Sequence, residues 1–99
     1  MIKHVVLFKV KDYPPEEKRM VLNELKSLLE GLKEKIGEVL YLEVGLNYIL
    51  EAKSFDIALI THFRNVEDLE KYKVHGEHQK VLEKILETTT ERAAVDFEF

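Results

Sequence analysis

The sequence predicts an α+β fold: one four-stranded antiparallel sheet with two helices packed on one of its faces. Three observations carry that expectation. Apolar residues alternate with period two in four short segments, and they recur at three- and four-residue spacing in two longer ones. The segments follow in the order strand, helix, strand, strand, helix, strand. The 99 residues suffice for a single two-layer domain spanning 1–99 and not for a second core.

Residues 2–10 form the first strand, with Ile2, His4, Val6, Phe8 and Val10 on one side and Lys3, Val5, Leu7 and Lys9 on the other. Asp12-Tyr13-Pro14-Pro15 breaks it. Pro15 suits the first position of a helix, and Glu16 and Glu17 suit the positive end of its dipole. Over 16–36, Val21, Leu25, Leu28, Leu32 and Ile36 make the apolar stripe, flanked by Leu22 and Leu29, and Lys33, Lys35 and Gly37 mark the stop. The second strand, 39–46, sets Leu40, Leu42, Val44 and Leu46 against Val39, Tyr41, Glu43 and Gly45. The third, 55–63, sets Phe55, Ile57, Leu59, Thr61 and Phe63 against Asp56, Ala58, Ile60 and His62. The 47–54 connection between them is too long and irregular for a two-residue hairpin and is an expected site of mobility.

Asn65 opens the second helix, with Asp68 at the capping-box offset. Its apolar residues are Val66, Leu69, Tyr72 and Val74, then Val81, Leu82, Ile85 and Leu86. Gly76 falls between the two groups, and a break or tight joint is expected there. The last strand, 92–99, sets Ala93, Val95, Phe97 and Phe99 against Ala94, Asp96 and Glu98.

This order is the ferredoxin-like split β-α-β arrangement, β-α-β-β-α-β. Two helices cover only one face of such a sheet. Val5 with Leu7, Leu40 with Leu42, and Ala58 with Ile60 leave apolar groups that cannot all face them. An exposed apolar face marks an association surface, so the expected unit is a homodimer with two sheets back to back, curling towards a dimeric α+β barrel.

Composition narrows the chemistry. Fifteen Lys and Arg against nineteen Asp and Glu give a net charge of −4, which argues against a nucleic-acid partner. Residues 1–50 carry eight of each sign, so the second half supplies the whole imbalance. The absence of cysteine excludes disulfides, thiolate nucleophiles, iron–sulfur clusters and Cys-based zinc sites, and favours a reducing, cytoplasmic setting. No apolar run approaches the roughly 20 residues of a membrane span, so no membrane partner is expected. The start, MIKHVVLFKVKD, lacks the order of a signal peptide: its apolar stretch stops at Lys9 and no small-residue cleavage site follows. The chain is expected to begin directly with its fold. No GxGxxG, P-loop or GxSxG motif occurs, and no cofactor is expected. Runs such as Glu16-Glu17-Lys18-Arg19 read as solvated helix faces.

Three of the four histidines, His4, His75 and His78, belong with Tyr72 to one candidate constellation. His4 shares its strand face with Phe8 and Val10. It is either a core histidine bonded to a backbone carbonyl or a polar group in an apolar cleft. In the run Tyr72-Lys73-Val74-His75-Gly76-Glu77-His78, one histidine can pin the helix joint. Alternatively, a histidine with a pKa near 6.5 and a tyrosine near 10 can form a proton relay. His75, His78 and Glu77, with His4 or His62 brought in by folding, are metal-ligating types. No HExxH or comparable spacing is present, however, and no metal site is expected.

The opening MIKHVVLFKVK, the central Phe55-Asp56-Ile57-Ala58-Leu59-Ile60-Thr61-His62-Phe63, the Tyr72…His75-Gly76-Glu77-His78 run and the closing Ala94-Val95-Asp96-Phe97 resemble the stress-responsive A/B barrel (Dabb) domain family. The resemblance covers essentially the whole chain. It departs at Gly76, where family members commonly have proline. It implies a ferredoxin-like fold dimerising through its sheets, in a family with no settled common activity. Within it, olivetolic acid cyclase performs a cofactor-independent aldol condensation in a cleft between sheet and helices. By resemblance to that enzyme, Tyr72 and His78 are the acid–base pair, and His4 matches its first-strand histidine. A further cleft histidine of its third strand falls here at Ile57.

The resulting expectation is a small-molecule-binding homodimer, its cleft lined by His4, Phe8, Ile57 and His75 and its ligand a small carbonyl or aromatic compound. Whether it turns a substrate over stays open. One alternative is a cofactor-independent lyase or cyclase using Tyr72 and His78. Another, on fold analogy alone, is a monooxygenase of the related dimeric barrels.

Overall fold

β1 (Ile2–Val10) occupies an inner position of the sheet, followed by α1 (Pro15–Glu30) and the single turn α2 (Leu32–Lys35). Then come β2 (Tyr41–Leu46), β3 (Ile57–Phe63), α3 (Val66–Val74), α4 (Gly76–Thr88) and β4 (Thr89–Glu98). The structure, a computed structural model, describes residues 1–49 and 53–99. The expected mobility of the 47–54 connection falls in part on residues 50–52, outside the described residues. The strands are ordered β2-β3-β1-β4 and every neighbouring pair is antiparallel, the ferredoxin-like α+β topology that the element order predicts. α1 packs on β2 and β3, α3 on β1 and β3, and α4 on α1 and β4. Among the described residues no helix is long and apolar enough to cross a membrane.

β1 and β3 carry the core through strict alternation. Ile2, His4, Val6, Phe8 and Val10 are buried beneath the helices, as are Ile57, Leu59, Thr61 and Phe63. Their alternates Val5, Leu7, Ala58 and Ile60 are only half-buried, on the opposite face. β2 differs from expectation. Leu42, Val44 and Leu46 turn towards the core, but its other side presents Tyr41, Glu43 and Gly45, and Leu40 is exposed just before the strand. The open apolar face therefore belongs to β1, β3 and β4, where Val95 and Phe97 are exposed.

The first helix is split at Gly31 instead of running unbroken over 16–36, and its buried stripe is turned by one position. Leu22, Leu25, Leu29, Leu32 and Ile36 are the core, Val21 is half-buried, and Leu28 is 37% exposed. Both sets have helical spacing, and the sheet selects the more continuous leucine row.

Asn65 caps α3 as expected, its Oδ1 accepting the Asp68 N–H at 2.9 Å. The joint expected at Gly76 lies one residue earlier. His75 leaves the helical region (φ −63°, ψ 137°) and Gly76 is the first residue of α4. Proline favours that first position, because its N–H has no partner within the helix. The backbone of His75 is of the kind that precedes proline, and a Cβ at position 76 meets nothing within 4 Å. Gly76→Pro is therefore expected to raise stability by roughly 0.4–1 kcal/mol, by restricting the unfolded chain. A thermal melt checks this, and a lower melting temperature than wild type would contradict it.

Candidate functional site

The joint between α3 and α4 sits over the helix-facing side of β1 and brings His4, Tyr72 and His78 together. Tyr72, on the buried side of α3, is 0% exposed. Its ring lies 6.2 Å from the His4 ring, 4.9 Å from Phe63 and 4.5 Å from His78, centroid to centroid. Its hydroxyl is buried without a hydrogen-bond partner among the described residues. Burial pushes its pKa up to about 12, so at neutral pH it is a phenol, able to donate and unsuited to act as a base.

The two imidazoles beside it are held alike. His78 Nδ1 lies 3.1 Å from the Lys73 carbonyl oxygen. A carbonyl only accepts, so the proton is on Nδ1 and the Nε2 lone pair is left for chemistry. His4, 4% exposed, donates from Nδ1 to the Asp96 carboxylate, which leaves its Nε2 in the same state. Asp96 Oδ2 also has Lys73 Nζ at 3.9 Å. His75 plays a different part. Its Nδ1 accepts the Glu77 N–H at 3.1 Å, so it caps α4 and carries its proton on Nε2 when neutral.

Phe8 and Ile57, the other expected cleft residues, face each other across β1 and β3, four residues along from the His4–Thr61 pair. At strand rise that is roughly 13 Å from the cluster, and both are buried in the core. The structure thus brings together Tyr72, His78 and His4, sets His75 at their edge as a cap, and does not bring Phe8 or Ile57 to them. His62 is on the opposite face, stacked on Tyr41 at 4.5 Å. Among the described residues no three His, Asp or Glu side chains gather in a way that could hold a metal ion.

Asp96 is the residue that sequence reading missed. A signal for it existed. β1 and β4 pair so that the two residue numbers add to 100 through most of their length, which sets Asp96 opposite His4.

Burial lowers the pKa of His78, against the opposing effect of the Lys73 carbonyl, and burial likewise lowers that of His4, against the hydrogen bond and charge of Asp96. In the unfolded chain both histidines titrate near 6.5. Below about pH 6.5 the unfolded chain therefore takes up protons first. The stability held above that pH is lost as pH falls through each folded-state pKa. Urea unfolding at about pH 7.5 and about pH 5 should show this loss, and His78→Gln should reduce it. An unchanged pH dependence in the variant would contradict the assignment.

Residues 2–99 match the Stress responsive A/B Barrel Domain (Dabb) family. The chain belongs to this family. One Dabb relative, the stress-response A/B barrel domain-containing protein DABB1 of Arabidopsis thaliana, is 28% identical over 102 residues, covering 98% of this chain and 46% of its own length. The chain thus spans about half of that relative. A dimeric protein of unknown function and ferredoxin-like fold from Bacteroides fragilis is 41% identical, with a TM-score of 0.89 over 99% of this chain and 95% of its own. A hydroxynitrile lyase from Passiflora edulis is 12% identical, with a TM-score of 0.80 over 97% of this chain and 90% of its own. At that identity the likeness is one of fold alone.

Proposed function

We propose that this Dabb chain works as a homodimer that binds a small carbonyl or aromatic compound beside His4, Tyr72 and His78, in a reducing, cytoplasmic setting. The observation that carries the ligand site is the Tyr72 hydroxyl, buried and unpartnered between two histidines. Leaving such a group unsatisfied costs about 1–3 kcal/mol. A ligand oxygen at Tyr72 Oη removes that cost, while Nε2 of His78 and of His4 accept from ligand donors.

The dimer reading rests on the open sheet face. Val5, Leu7 and the Ala93–Val95 segment line an apolar depression of about 250 Å³ there. The Bacteroides fragilis relative is itself dimeric. Light scattering at micromolar protein is expected to give twice the 11.6 kDa of one chain, and Leu7→Glu to return the monomer mass. A wild-type monomer would overturn this reading.

For the ligand, a thermal-shift screen of small carbonyl and aromatic compounds is repeated on His78→Ala. Shifts lost in the variant support the site. Shifts unchanged in the variant remove His78 from it.

A second reading, acid–base catalysis of the cyclase or lyase kind, is favoured by the His78 tautomer and by the resemblance of Tyr72, His78 and His4 to the residues of olivetolic acid cyclase. In it His78 Nε2 takes a proton from the carbon alpha to a carbonyl, and the electron pair moves onto the oxygen. Tyr72 Oη donates a hydrogen bond to the enolate so formed. The enolate carbon then attacks a second carbonyl of the same molecule, forming the carbon–carbon bond, while the π pair of that carbonyl moves onto its oxygen. This alkoxide takes the proton back from His78, so the ring closes with no co-reactant.

A further inference from the structure

β4 presents Arg92, Ala94 and Asp96 to the helix side of the sheet, opposite Phe8, Val6 and His4 of β1; directly opposed residues of an antiparallel pair share a face. All three are exposed, so the β4 edge of the helix side is left uncovered beside His4. Their charges are not equivalent. Asp96 is engaged by His4 and, at 3.9 Å, by Lys73, whose ammonium is also 3.5 Å from Glu70. Arg92 is exposed and forms no ion pair among the described residues. It is nonetheless close enough to act on the site, because its charge is among the causes that hold down both the His4 and the His78 pKa. The uncovered strip of β4 therefore carries an unneutralised guanidinium, and the phenol packed against His4 is buried and unpartnered.

Resting on the ligand-site reading above, we infer that the ligand is an organic monocarboxylate with an apolar body, its carboxylate on Arg92 and an oxygen at its far end on Tyr72 Oη. Guanidinium matches carboxylate through two parallel hydrogen bonds. One free cation beside one carboxylate, Asp96, suits a single negative charge better than a phosphate dianion. The Cα atoms of Arg92 and Asp96 are four residues apart on the strand, roughly 13 Å. The arginine side chain spans part of that gap, and one aromatic ring or a short acyl chain fills the rest over the small methyl of Ala94.

The test titrates the full chain, followed by ¹H–¹⁵N NMR, with 3-hydroxybenzoate, trans-cinnamate and octanoate, each beside its uncharged primary amide. At least one acid is expected to perturb amides around Tyr72 and His78 and to bind about tenfold tighter than its amide at low salt. The preference should fall to about twofold or less in Arg92→Gln and at high salt, and Arg92→Lys should restore only part of it. Arg92 is exposed, so these variants keep the fold. If acids and amides bind there equally, or the preference survives Arg92→Gln, the carboxylate assignment is overturned while the ligand site stands. If none of the six probes perturbs the site, both fall.

Discussion

Asp56→Ala is expected to destabilise the protein by about 3–5 kcal/mol, the cost of leaving one member of a buried ion pair alone, and to lower the melting temperature by roughly 15–30 °C. Asp56 is 0% exposed and joins four segments. Its N–H donates to the Phe8 carbonyl at 2.8 Å, its carbonyl accepts the Asn47 N–H at 2.9 Å, and its Oδ2 accepts the Val10 N–H at 2.9 Å. Oδ1 faces Lys18 of α1, with Nζ at 3.4 Å and that side chain only 17% exposed. Alanine would leave the Val10 N–H without an acceptor and the lysine charge in a nearly dry position. Asp56→Asn keeps an acceptor for Val10 and loses the charge, so its cost should be smaller, about 1–3 kcal/mol. Lys18→Met should approach the cost of Asp56→Ala, because the carboxylate would then be the uncompensated charge. Urea unfolding of the three variants checks this order. A loss below about 1 kcal/mol for Asp56→Ala would show that the pair is as weak as a surface one.

Asp56 also shows where sequence reading reaches its limit. Strict alternation from Ile57 places it on the open face with Ala58 and Ile60. It turns inward instead because β3 has not yet begun, and the Val10 N–H, past the last β1–β3 pair at Phe8 and Ile57, needs an acceptor. Alternation carries the strands and their order because a one-residue slip would move every apolar side chain to the wrong face. The same logic is weaker for the first helix, where Val21-Leu22 and Leu28-Leu29 offer two adjacent stripes and only packing against β2 and β3 selects Leu22 and Leu29. In the site, Tyr72, His75 and His78 were legible as a local run with a break. Their division of labour, with His75 as cap and His78 against Tyr72, depends on the dihedral angles of one joint residue. Asp96 and Arg92 depend on strand register across the length of the chain, which local patterns do not carry.

Tyr72→Phe is expected to be more stable than the wild type by about 1–3 kcal/mol, the usual cost of an unsatisfied buried polar group, and to lose ligand binding. Removing a buried hydroxyl commonly destabilises, because its partner is left stranded. Here the hydroxyl has no partner among the described residues, so phenylalanine keeps the ring contacts with Phe63 and His78 and deletes only the stranded group. Its proton cannot be shed to relieve the site either, with the pKa pushed up to about 12. A natural residue that costs stability in the free protein is consistent with a ligand that satisfies it when bound, the trade between stability and function seen at many sites. His78→Ala separates the two contributions: it should weaken binding and also lower stability, because it opens space against the Tyr72 ring. The decisive comparison is a thermal melt of each variant with and without ligand. A Tyr72→Phe protein that melts higher alone and no longer responds to ligand identifies the hydroxyl as a binding group. One that melts lower, with its ligand response intact, would show that the hydroxyl serves the fold and that binding lies elsewhere.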